Sequence, residues 1–174
     1  ACLSEGEALR RSGIDAPILV LGYTPAWQAR DAVRLGLSVA VFEADTAHAL
    51  GMAAQALQRP ARVHLKIDTG MHRLGAPLDR AVALLGEIRS LAGIEIEGLF
   101  THLSSADDPS PQGRAETDRQ LASFAALVTR LERHDLRPPV VHVANTALLL
   151  TRADARYDLV RPGIGVYGLM PSSG

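Results

Sequence analysis

The chain has 174 residues, 47% hydrophobic and 21% charged, which is enough apolar material for one sizeable core within one domain. Eighteen Lys and Arg against nineteen Asp and Glu leave a net charge of -1, so no basic face for nucleic acid or anionic lipid is expected. A single cysteine, Cys2, excludes an internal disulfide and a multi-thiolate metal centre; no apolar run reads as a membrane span and no leader as a signal peptide, so the expected setting is the cytoplasm.

From the N-terminus, helical period covers residues 5–11 and an apolar strand follows at 18–22. A helix at 25–35 leads to a strand at 38–43, and a helix at 46–57 to a strand at 63–68. The helix expected at 77–91 repeats Leu78, Val82, Leu85, Ile88 and Leu91 on one stripe, before a strand at 96–103. Residues 107–113, with two prolines, read as the longest loop, and the helix at 116–134 repeats Leu121, Phe124, Val128 and Leu131. A strand at 140–145, a short helix at 147–152 and a strand at 159–166 close the pattern.

Six strands alternating with helices imply an α/β fold with a parallel sheet, either doubly wound or part of a (β/α)8 TIM barrel. Leu21-Gly22-Tyr23-Thr24 after the first strand lacks the glycine spacing of a dinucleotide-binding turn. Asp68, His102, Asn145 and Arg161 instead stand at or just beyond the ends of different strands, the distribution a barrel produces.

Lys66 is the only lysine, so any lysine-dependent chemistry of this chain must use it. Strand alternation places it on one face with His64 and Asp68, where an ion pair with Asp68, or a side chain snorkelling to a barrel mouth, is its plainest role. Asp68-Thr69-Gly70 matches the aspartic-protease triplet, but that chemistry needs a second carboxylate and a β-rich chain. His64, His102 and His142 all lie in strands; His142 is out of phase with Asn145, so their depths do not match for a shared metal, and core histidines are expected. Asn145-Thr146, at a strand-to-helix junction, and Arg161-Pro162-Gly163-Ile164-Gly165 offer an amide, a hydroxyl, a cation and approachable backbone amides, which points to a phosphate-bearing ligand. Taken alone, Asn145-Thr146 reads as a helix N-cap.

Four ordered blocks make the chain resemble the alanine racemase family. They are His64-Leu65-Lys66-Ile67-Asp68-Thr69-Gly70-Met71-His72-Arg73-Leu74-Gly75, Gly98-Leu99-Phe100-Thr101-His102-Leu103, Val143-Ala144-Asn145-Thr146-Ala147, and the run from Asp158 to Gly168. The resemblance implies a (β/α)8 barrel that binds pyridoxal 5'-phosphate and removes the Cα proton of an alanine aldimine for return on either face. Arg161 resembles the arginine bonded to the pyridine nitrogen, and His102 the histidine that packs on the cofactor ring and supports Arg161. Thr146, Gly163 and Ile164 match phosphate-binding positions, with Asn145 beside them. Arg73 resembles the arginine near the phenolic oxygen and substrate carboxylate, and Lys66 the lysine often carbamylated to position Arg73.

The same resemblance implies a cytoplasmic bacterial homodimer that supplies D-alanine for peptidoglycan from a small amino-acid substrate. Nothing here matches the family's Schiff-base lysine, expected upstream of Ala1, or its catalytic tyrosine, expected in a C-terminal β domain. About six of eight barrel strands are therefore expected, and little activity from the chain alone. A serine-preferring racemase, a non-catalytic phosphate-binding barrel piece and a metal-dependent hydrolase are the alternatives.

Overall fold

Short apolar runs joined by helical crossovers return the chain to the same end of a sheet, so they pair in parallel. In the computed structural model, which describes residues 2–171, α1 (Leu3–Arg11) precedes β1 (Leu19–Tyr23), and α2 (Ala29–Arg34) leads to β2 (Ser38–Val41). Then come α3 (Ala44–Leu57), β3 (Ala61–Asp68), the two-residue β4 (Ala76–Pro77), α4 (Ala81–Ser90) and β5 (Ile94–Thr101). The last elements are α5 (Pro111–Arg133), β6 (Val140–His142) and α6 (Thr146–Thr151).

All strand pairs are parallel, in the order β1-β2-β3-β5-β6, with β4 attached to the end of β3. Among the described residues the sheet is open, with β1 and β6 at its edges. Every residue of β2 is buried, as is expected of a strand covered on both faces. Leu84, Leu85 and Ile88 of α4 and Leu121, Phe124, Leu127, Val128 and Leu131 of α5 bury their stripes against Leu65, Ile67 and Leu99. No helix of the described residues is long and apolar enough to cross a membrane.

Four local readings change. The expected strand at 159–166 is reduced to one bridge, His142 with Leu159, followed by a 3-10 turn at Gly163–Tyr167. Pro162 has no N–H for a ladder and Gly163 turns left-handed at φ 42°, so the extended path stops there. Residues 107–113 are only partly loop: Pro111 opens α5 and the Ser110 side chain accepts from Gly113 N. The helix expected at 77–91 starts at Ala81, because Ala76 and Pro77 pair with Ile67 and Asp68. The helix expected at 25–35 divides into a 3-10 turn at Ala26–Gln28 and α2.

Candidate active site

Cross-strand register builds the first part of the site. Lys66 of β3 pairs with Phe100 of β5, and Phe100 with His142 of β6, so three side chains stand in a row on one face. Phe100 stacks on the His142 ring at 4.6 Å between centroids and 7° between planes. Its ring lies 5.5 Å from Lys66 Nζ and 5.5 Å from Arg161 Cζ, so two cations share one aromatic surface.

Arg161 is held from three sides. Nη1 bonds His142 Nδ1 at 2.7 Å, while Nη2 donates to the carbonyls of Thr101 and Val143, each at 2.8 Å. Its own backbone N–H donates to Ala144 at 2.8 Å, tying the segment after Leu159 to the end of β6. Burial lowers the guanidinium to about 10 and it stays charged at neutral pH. Thr101 also shares a 2.9 Å hydroxyl contact with Thr69, joining β5 to the loop after β3.

The neighbouring titratable groups are held in their uncharged direction. Burial first, then the charge of Arg161 and the His64 ring, push His142 down to about 3. Burial, with Arg161, Arg73 and Lys66 behind it, pushes His102 down to about 4. Lys66 is lowered by burial and then by the like charges of Arg73 and Arg161, against a smaller pull from Asp68.

The second part lies where β6 gives way to α6. Asn145 caps that helix, its Oδ1 accepting from Leu148 N at 3.1 Å, so the N-cap reading of Asn145 holds. The buried Thr146 hydroxyl donates to the Pro162 carbonyl and accepts from Gly165 N at 3.2 Å. A Cβ on Gly165 would stand 2.9 Å from Thr146 Cγ2, and one on Gly163 3.5 Å from Thr146 Oγ1. The Gly165 amide therefore comes close to this hydroxyl because that residue lacks a side chain, while Gly163 is set apart by its left-handed φ of 42°.

The structure gathers Lys66, Arg161, His102 and Arg73 into one electrostatic neighbourhood, and Thr146, Gly163 and Gly165 into one corner. Arg73 and Ile164 are exposed. Two expectations change. His102 makes no hydrogen bond to Arg161 among the described residues; the ring that does is His142. The expected Lys66–Asp68 ion pair is also missing among the described residues, and Asp68 Oδ1 instead accepts from the N–H groups of Gly70 and His72 at 2.8 and 3.1 Å. That turn accounts for the Asp-Thr-Gly triplet. Phe100 and His142 were not singled out from sequence as parts of this site; adjacent placement on β5 and β6 is the signal that marks them.

Known proteins match this arrangement along the whole chain. The family described as alanine racemase, N-terminal domain, matches residues 1–171. The alanine racemase of Symbiobacterium thermophilum is 44% identical over 174 residues, covering 100% of this chain and 45% of that protein. That of Geobacter sulfurreducens is 44% identical over 172 residues, 99% of this chain and 45% of the relative. Among solved structures, Clostridium difficile 630 alanine racemase in complex with cycloserine superposes with a TM-score of 0.94 at 34% identity, covering 99% of this chain and 47% of that one. The Bacillus anthracis alanine racemase with bound L-Ala-P gives 0.89 at 30% identity, with 99% and 44% covered. The parallel sheet is thus part of a (β/α)8 barrel, and the chain spans just under half the length of the relatives it matches.

Proposed function

The chain belongs to the alanine racemase N-terminal domain family, and from that premise we propose that it forms the cofactor-holding barrel portion of a pyridoxal-phosphate-dependent racemase of L- and D-alanine. The observation that carries this reading is Arg161, fastened by His142, Thr101 and Val143 beside the corner of Thr146, Gly163 and Gly165. The donor set fits the proposed group. The N–H groups of Gly163 and Ile164 suit a phosphate, as does the Thr146 hydroxyl once it turns from the Pro162 carbonyl, and the glycines leave room for the approach. Bound pyridoxal phosphate supplies an electron-withdrawing ring that makes the substrate Cα–H acidic.

The chain's own residues then have separable tasks. Arg161 donates to the ring nitrogen and, as a persistent cation, keeps that nitrogen unprotonated, which restrains electron withdrawal and favours return of the proton over side reactions. His102, uncharged at neutral pH, packs on the ring without adding a second positive charge. Exposed Arg73 holds the substrate carboxylate. Lys66 is lowered toward its neutral amine, the form that attacks carbon dioxide. An N–C bond forms, a proton leaves to solvent, and the resulting carbamate attracts Arg73 where the ammonium repelled it. A normal intact mass would count against this modification.

The Schiff-base lysine, the catalytic tyrosine and a C-terminal β domain belong, on this reading, to segments outside these 174 residues. The whole enzyme would be a cytoplasmic homodimer supplying D-alanine for peptidoglycan. The L-Ala-P named in one matched structure supports a small amino acid as substrate. The test is racemisation of L-alanine with added pyridoxal phosphate, by this chain and by a version extended at both ends. Activity of the extended protein alone supports the proposal. An extended protein that binds the cofactor but leaves alanine unchanged refutes the substrate, and serine is then tried.

A further inference from the structure

Gly98 leaves a gap in the strand between two histidines. On β5 it pairs with His64 of β3 and with Val140 of β6. A Cβ there would lie 2.1 Å from His64 Nδ1 and 2.5 Å from its Cε1, so the imidazole occupies the space a side chain would take. His64 thereby reaches across an intervening strand, and its Nδ1 stands 2.9 Å from His142 Nε2.

One obligate donor sets every proton in this line. A guanidinium cannot accept, so Arg161 Nη1 donates to His142 Nδ1. A neutral His142 then carries its proton on Nε2 and donates it to His64 Nδ1. A neutral His64 carries its own on Nε2, which lies 3.7 Å from Glu97 Oε2. The same carboxylate oxygen accepts from Ser38 Oγ at 2.6 Å, and the other is 3.5 Å from Arg62 Nε. Burial lowers both rings, Glu97 opposing it only at His64, so the neutral forms hold near neutral pH. All donors point away from Arg161 and the line ends on an anion.

We propose that His64 and Glu97 are positioning residues for Arg161, forming with His142 a directional relay that holds the guanidinium in one orientation toward the candidate site. The relay rests on the reading of that site as a racemase cofactor site. Gly98 is part of it by what it lacks. Without Glu97 the buried His64 Nε2–H loses its acceptor, the ring moves to recover one, and its contact with His142, and through that ring one of the three anchors of the guanidinium, is weakened.

Nitrogen-15 NMR of the imidazoles in this chain, at neutral pH, tests the relay directly. His142 and His64 should both be protonated on Nε2 and not on Nδ1. Glu97→Leu should shift the Nε2 resonances of His64 and His142 as the hydrogen bonds along the line weaken, while Glu97→Gln, which keeps an acceptor, should restore them. A proton on His142 Nδ1 in the unaltered chain overturns the relay, as does a Glu97→Leu spectrum with both rings unchanged. In the cofactor-loaded enzyme that contains this chain, Glu97→Leu should lower kcat per bound cofactor on the order of tenfold, with KM for alanine unchanged. An unchanged kcat per bound cofactor overturns the positioning role and leaves the histidine pair as core packing. If the unaltered enzyme fails to take up pyridoxal phosphate, the reading of the site fails, and the tautomers still decide the relay.

Discussion

Replacing Lys66 by methionine should stabilise the protein. The side chain is only 5% exposed and makes no ion pair among the described residues. Its charge instead meets an aromatic ring at 5.5 Å and the repulsion of Arg73 and Arg161. An uncompensated buried charge costs about 4 kcal/mol, which an apolar side chain of similar length recovers. The lost cation–π contact, desolvated at this depth, returns about 2 kcal/mol of that. The remainder, about 2 kcal/mol, divided by a urea m-value of about 2 kcal/mol/M, raises the unfolding midpoint by about 1 M. The sign with pH is fixed as well. The folded-state pKa of Lys66 lies below its ordinary 10.5, so between the two values the unfolded chain binds more protons and stability climbs with pH. The advantage of Lys66→Met is therefore greatest on the acid side of the lowered value and shrinks toward pH 10.5. Urea unfolding in bicarbonate-free buffer, from neutral pH upward, measures both effects. Added bicarbonate should raise the midpoint of the unaltered chain alone. A methionine variant less stable at neutral pH, or a difference constant with pH, refutes the reasoning.

Three further outcomes follow from the same geometry. His142 titrates at about 3 when folded against an ordinary 6.5, so the unfolded chain binds the extra proton in that window and stability falls as pH drops below 6.5. His142→Asn should remove roughly 1.4 kcal/mol per pH unit from that slope, read from urea midpoints on the acid side; an unchanged slope contradicts the buried neutral ring. Gly165→Ala places a methyl 2.9 Å from Thr146 Cγ2 and displaces the hydroxyl. Loss of one hydrogen bond, about 1 kcal/mol, should weaken inorganic phosphate binding about fivefold by calorimetry, and equal affinity removes Thr146 from the phosphate corner. Arg161→Lys cannot engage His142, Thr101 and Val143 together, so thermal unfolding should show a loss of about 2 kcal/mol.

The helix and strand alternation was legible because it rests on local period. Phe124 and Leu131 of α5 and Leu85 and Ile88 of α4 are buried where their spacing places them. The two halves of the Thr146 and Gly163 corner were legible for the same reason: Thr146 opens a helix and Gly163 a tight turn within a few residues each. Legibility failed where apolar content imitated a strand. Val160, Ile164 and Val166 look like one, yet Pro162 and the left-handed Gly163 turn the chain, and Val166 ends 70% exposed.

The histidines show a different kind of limit. Judging His142 by its phase with Asn145 assumes one strand through both, but β6 ends at His142 and Asn145 already caps α6. Phase along a chain loses meaning where the strand stops. The partners that matter to His142 are Phe100 beside it and His64 two strands away, and a bulge in the β3–β5 pairing between Val63 and His64 shifts that register. Pairing across strands is set by twist, bulges and the packing of every helix behind the sheet, none of which one strand's alternation encodes. Gly98 is the clearest case. In sequence it is a glycine in an apolar strand, a weak element by propensity. Only the register shows that its missing side chain is the room in which His64 meets His142, so the most specific part of this site is written as an absence.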